Sequence, residues 1–151
     1  MKSLLIVYHS QSGTCARLAM AAREGAVAEE GVQVQVLRAW DAGTRDLVAA
    51  DGVVLVAAEN SGALCGAMKD FLDRTFYPAI EHGVVIPYAL LVSAGNDGRN
   101  AVRQAQRILS GYPLVAAAEP LILRGEFSQD HGAAARELGQ ALAAGLAMGI
   151  F

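Results

Sequence analysis

Short apolar blocks alternate with amphipathic stretches along the whole chain. Leu4-Leu5-Ile6-Val7 is a continuous apolar run, the pattern of a strand buried on both faces. After it, Leu18, Ala19, Ala22 and Ala26 recur at spacings of three and four, which predicts a helix from about Thr14 to Glu29, ended by Gly31. Val32-Gln33-Val34-Gln35-Val36-Leu37 alternates strictly, so this strand has one buried and one wetter face and belongs at a sheet edge. Ala39 to Ala50 reads as a connector, with turn residues at Asp41 to Gly43 and a short helix at Thr44–Val48. Asp51-Gly52 turns into a second continuous run, Val53–Ala57, which opens into Ala58-Glu59-Asn60-Ser61-Gly62-Ala63. Leu64, Met68, Phe71, Leu72 and Thr75 then share one side of a helix expected to end before Pro78.

Tyr88–Ser93 is the next buried strand, with Pro87 at its entrance, where a missing N–H does little harm. It ends in the polar turn Ala94-Gly95-Asn96-Asp97-Gly98, followed by a helix grouping Val102, Ala105, Ile108 and Leu109. Val115 to Leu123, interrupted by Pro120, supplies the last strand. A final helix from about Ser128 carries Leu138, Leu142 and Leu146 on one face. Five strands alternating with helices specify a doubly wound parallel sheet, because each crossover lays its helix on a face. The loops at residues 9–15, 58–63 and 94–99 all follow strands and so meet at one rim, where such sheets bind ligands.

Composition narrows the partners. At 151 residues the chain is one domain by size, 1–151, and its apolar residues, 54% of the total, never form a block long enough to span a bilayer. The first strand begins at once, with no signal peptide before it, so the expectation is a cytoplasmic protein without membrane insertion. A net charge of −3 with no basic stripe argues against nucleic acid. Cys15 and Cys65 form no zinc or CxxC pattern, and no metal site is expected. They should share the rim, as a redox pair or as two small buried thiols, the second reading being favoured.

The chemistry begins at Ser10-Gln11-Ser12-Gly13-Thr14-Cys15. A strand, a hydroxyl-rich turn and a helix start build an anion site, since the first backbone N–H groups of a helix are unpaired and carry partial positive charge. Ser10, Ser12 and Thr14 add hydroxyls, and Gly13 allows close backbone approach. No Lys or Arg stands in the loop before Arg17, so neutral donors would hold the anion, which suits a terminal phosphate. The bland alternative is an ordinary turn and helix cap.

Tyr8-His9-Ser10-Gln11-Ser12-Gly13-Thr14 resembles the phosphate-binding loop of flavodoxins and flavodoxin-like NAD(P)H:quinone reductases, with Cys15 where the flavodoxin signature has Thr. Gly66 to Arg74 is similar to the helix after the flavin loop in those reductases, matching at Lys69, Phe71, Asp73 and Arg74. Lys69 and Asp73, four apart, are equally explained as an ion pair on a solvated face. Ser93–Asn100 resembles the loop at the flavin's pyrimidine edge, where Asn96 and N–H groups from Gly95 to Gly98 would bond ring carbonyl and imide groups. The second loop departs from the family. Ala57-Ala58-Glu59 stands for Gly-Thr-Pro, and no Trp, Tyr or Phe is present to stack on a ring.

The resemblance implies a flavodoxin-like three-layer αβα sandwich with a five-stranded parallel sheet of order 2-1-3-4-5. It also implies FMN as cofactor, held by Ser10–Cys15, Glu59–Ala63 and Ala94–Gly98, and NAD(P)H as electron donor. A quinone or similar small molecule would accept the electrons, and the unit would be a homodimer or homotetramer. No side chain is assigned as catalytic, because the flavin carries the chemistry. A flavodoxin-type electron carrier, and a flavodoxin-fold binding module with weak or lost FMN binding, are the alternative readings. His9 is read as a donor toward flavin or substrate or, the favoured reading, as a plain rim residue, and Trp40 as an anchor for the connector or a subunit contact.

Overall fold

The computed structural model describes residues 1–151. Its elements run β1 (Lys2–Tyr8), α1 (Thr14–Ala26), β2 (Val32–Arg38), α2 (Thr44–Ala49), β3 (Gly52–Asn60), β4 (Ala63–Leu64), α3 (Gly66–Glu81), β5 (Pro87–Ala94), α4 (Arg99–Leu109), β6 (Val115–Ala116), β7 (Leu121–Arg124) and α5 (Gln129–Met148). The main sheet is parallel, in the order β2-β1-β3-β5, with β6 and β7 together occupying the next position. Counting that broken strand once, and β4 as an appendage of β3, the order is the expected 2-1-3-4-5. The alternating strand β2 does lie at the edge. Tyr88 pairs with Ala116 and Leu91 with Leu121, so the last strand bulges outward around Pro120, which cannot donate to the ladder.

Two apolar layers sandwich the sheet. Alternate residues of β1, β3 and β5 send Leu5, Val53, Leu55 and Leu90 into one core beneath α3 and α4, joined by Met68, Phe71 and Leu109. The other residues, Leu4, Ile6, Val54, Val56 and Leu91, meet Leu18, Ala22, Leu142 and Leu146 of α1 and α5. This period-two division is the pleat of a sheet covered on both sides.

Two helix ends differ from expectation. α1 stops at Ala26, three residues early, because the N–H groups of Ala28 and Glu29 bond back to Gly25 and Ala26 in tight turns. Gly31, at φ +82°, then starts β2, its carbonyl accepting the Lys2 N–H at 2.9 Å. α3 runs through Pro78 to Glu81 instead of ending before it. One hydrogen bond is forfeited there, but Ala79 is fully buried and the amides of His82 and Val84 bond to Pro78 and Ala79. Burial of that last turn outweighs the proline defect.

Candidate functional site

The loop after β1 is a donor-rich cradle. Gly13 adopts φ +102°, a conformation costly for other residues, and its amide donates to the Ser10 hydroxyl at 3.0 Å. Ser10 thus serves the turn, while Ser12 and Thr14 hydroxyls lie 3.4 Å apart at the surface. The backbone N–H groups of Gln11, Ser12, Thr14 and Cys15 have no backbone acceptor. Four unpaired amides with two exposed hydroxyls, at the start of a 13-residue helix, exceed what a cap requires.

The second loop is not an open loop but a tight hairpin. β3 extends to Asn60, Ser61 and Gly62 form the two-residue turn with φ +52° and +75°, and β4 returns antiparallel. Two positive φ values in succession mark a type I′ turn, whose twist matches that of paired strands. Long-range bonds hold the hairpin in place. Asn60 Nδ2 donates to Gln11 Oε1 at 3.1 Å, linking it to the first loop, and the Leu64 N–H donates to Gln104 Oε1 at 2.7 Å. Asn100 Nδ2 donates to the Gly62 carbonyl. Glu59 makes the decisive link, its two carboxylate oxygens accepting the amides of Gly98 (2.9 Å) and Ala101 (3.1 Å) at the N-terminus of α4. A carboxylate is well placed there, against the positive end of the helix.

That arrangement revises the donors expected in the third loop. The Gly98 N–H is committed to Glu59, so only the amides of Gly95, Asn96 and Asp97 remain without a backbone acceptor. Gly98 itself sits at φ +94°, and a Cβ there would lie 2.7 Å from Ile122. Asp97 is held by Arg99, whose Nε donates at 2.7 Å, and the Asp97 carbonyl accepts from Arg124 Nε. The Arg99 hydrogen bonds lower the Asp97 pKa to about 2.

Gln11, Ser12, Thr14, Cys15, Glu59, Asn60, Ala94 and Gly95 line one open cleft of about 340 Å³ between the ends of β1, β3 and β5. Ser10 and Gly13 border a second hollow on the other side of the loop. Ser61, Gly62 and Ala63 form the hairpin tip, and Asn96, Asp97 and Gly98 lie outside the cleft wall. Ala58 and Ser93, from the second and third loops, and Gly125 and Glu126, which the sequence reading missed, complete the lining. For Gly125 and Glu126 the signal was available: they follow β7, whose end reaches the same rim. A larger hollow, about 540 Å³, lies at the opposite end of the sheet beside Gln33 and Ala49, away from these loops.

The cysteines are free and buried. Cys15 belongs to the α1–α5 side of the sheet and Cys65 to the α3–α4 side. Cys15 Sγ contacts the Ala57 carbonyl at 3.5 Å, and burial, with a smaller contribution from Cys65, pushes its pKa up to about 12. Lys69 pairs with Asp73 at 2.7 Å on an exposed helix face, as the spacing allowed. Arg74 does more than decorate a face: its two terminal nitrogens donate to the carbonyls of Ala42 (2.9 Å) and Ala39 (2.8 Å), pinning the connector to α3. Trp40 is therefore not the connector's anchor; it is 58% exposed.

No family model matches the chain. It is 32% identical over 95 residues to an NAD(P)H dehydrogenase (quinone) of Acidithiobacillus ferrooxidans, covering 50% of this chain and 48% of that one. It is 30% identical over 73 residues to a flavodoxin of Aquifex aeolicus, covering 48% and 40% respectively. The chain thus spans less than half the length of these curated relatives. Among solved structures, an archaeal flavodoxin superposes with a TM-score of 0.82 at 19% identity, over 94% of this chain and 96% of that one. Sheet order, layers and a ligand-sized cleft at the strand ends define a doubly wound α/β protein of flavodoxin type. The chain has the flavodoxin-like fold.

Proposed function

We propose that this chain is an FMN-binding oxidoreductase that takes hydride from NAD(P)H and delivers electrons to a quinone-like acceptor. One observation carries the reading: the unpaired amides of Gln11, Ser12, Thr14 and Cys15 border the same cleft as Ala94 and Gly95 at the end of β5, where the Gly95 amide is free. The first set fits a phosphate monoester and the second fits the polar edge of a flat ring. FMN, when bound, supplies the two-electron chemistry.

The residues divide the remaining work. Ser12, Thr14 and the four amides bind and orient the phosphate with neutral donors. Asn60, fixed to Gln11, and Glu59, fixed to α4, hold the hairpin wall in register with the cradle. Gly95 presents a free backbone donor to the cleft that stabilises negative charge on a ring edge, with the amides of Asn96 and Asp97 beyond its wall. The cleft itself contains no aromatic side chain to stack on a ring. That absence favours one second reading, a binding module in which FMN is weakly held or lost.

No helix is long and apolar enough to cross a membrane. The proposal takes the working protein as cytoplasmic and as a homodimer or homotetramer. Titration with FMN, followed by flavin fluorescence, tests the cradle, and stopped-flow mixing with NADPH tests the activity. Rapid loss of flavin absorbance supports the enzyme. Reduction only through a partner reductase supports an electron carrier, and failure of FMN to bind supports the module.

A further inference from the structure

Trp40 is the single tryptophan, and it is held in solvent by a rigid frame. Its neighbours Ala39 and Ala42 are buried, their carbonyls fixed by Arg74. The Ala39 amide donates to the Tyr8 carbonyl at 2.7 Å. The indole's exposure is therefore imposed by the surrounding backbone and is not the fraying of a loop. His9 meets it edge-to-face, with centroids 6.1 Å apart and planes at 79°, which steadies the ring while leaving it 58% accessible.

Beneath Trp40 lies a hollow of about 360 Å³ walled by Tyr8, His9, Ser10, Gly13 and Arg38. Its size is at the low end for small-molecule sites, enough for one heterocycle and its sugar. Arg38 uses Nε for Asp41 at 2.8 Å, and its two terminal nitrogens have no protein partner. The site thus combines an exposed aromatic platform, a hydroxyl and a guanidinium with free donors. Planar heterocycles stack on such platforms, and free guanidinium donors recognise phosphate. Ser10 and Gly13 form part of this hollow and also belong to the cradle loop, so the two sites back onto one another across Ser10–Cys15.

We propose that this hollow binds the adenosine-phosphate end of the dinucleotide donor, an assignment that rests on the oxidoreductase reading. Adenine lies against Trp40, and Arg38 takes the adjoining phosphate. The donor is thereby held by the outer side of the loop whose inner side holds FMN.

The test is titration with ADP-ribose, which lacks the nicotinamide, while Trp40 fluorescence is monitored in protein with and without FMN. The expected result is a saturable change in indole emission in both forms, with affinity reduced about tenfold by Arg38→Ala through loss of a charge-assisted contact. Flat emission at millimolar ADP-ribose overturns the proposal, as does an Arg38→Ala variant of unchanged affinity. Competition between FMN and ADP-ribose overturns it too, since the two would then share one site. Flavin fluorescence in the same titrations keeps the two readings apart. If FMN fails to bind while ADP-ribose still saturates Trp40, the donor assignment falls with the oxidoreductase reading, and the flaw is not in the hollow.

Discussion

Helix α1 presents the cradle from its N-terminus, and its position depends on how closely α5 can approach. Two glycines set that distance. A Cβ on Gly139 of α5 would stand 2.0 Å from the Ala22 carbonyl oxygen, and one on Gly25 of α1 would stand 1.9 Å from that of Arg136. Both obstacles are backbone, so no rotamer relieves them, and Gly139→Ala must drive the helices apart by roughly an ångström in a close-packed layer. Alanine gains about 1 kcal/mol of helix propensity over glycine. Overpacking costs about 1–3 kcal/mol, and a backbone collision belongs at or beyond the top of that range. The net loss is therefore about 2 kcal/mol, a fall in Tm of about 4–8 °C for a chain of this size. Gly66→Ala is the matched control, because a Cβ there meets nothing within 4 Å and its φ is not positive. It should raise stability by up to about 1 kcal/mol. Thermal and urea unfolding of the two variants decides the matter. A Gly139→Ala protein as stable as its parent would refute the reasoning, because helix propensity would then outweigh the collision.

Three further outcomes follow from the site. Glu59→Gln keeps one acceptor and loses the charge at the start of α4, so stability should fall by about 1–2 kcal/mol, and hydrogen exchange at the Gly98 and Ala101 amides should accelerate; unchanged exchange would show that Glu59 does not tether the helix. Asp97 titrates at about 2 in the folded chain because Arg99 bonds its carboxylate, against an ordinary 3.8. Its contribution is thus present above about pH 4 and lost as pH falls toward 2, and Asp97→Asn should flatten that part of the acid unfolding profile. Cys15, with its thiol pKa pushed up to about 12 by burial, should resist iodoacetamide at neutral pH until the protein is unfolded; fast native labelling would show that the cleft floor opens.

Local patterns carried much of the structure. The strict alternation of Val32–Leu37 placed β2 at the edge, and the three polar loops after β1, β3 and β5 do converge on one rim. Lys69 and Asp73 meet because four residues make about one helical turn. What escaped the sequence depends on residues far apart along it. The hairpin at Asn60–Ala63 contains Ser61 at positive φ, where Asn or Gly is the usual signal, and its anchors, Gln104, Asn100 and Gln11, are all about forty residues or more away. Arg74, read from the sequence as part of the helix motif, bonds Ala39 and Ala42, more than thirty residues away.

The sequence by itself determined the αβα class, the edge strand, the rim and the donor-rich turn at Ser10–Cys15, because each follows from periodicity or from residue types a few positions apart. Tertiary structure alone decided which donors stay free. Gly98 spends its amide on Glu59, and Arg74 holds the frame that leaves Trp40 in solvent. A hydrogen bond depends on distances of about 3 Å between atoms, and only the folded chain brings such distant residues that close.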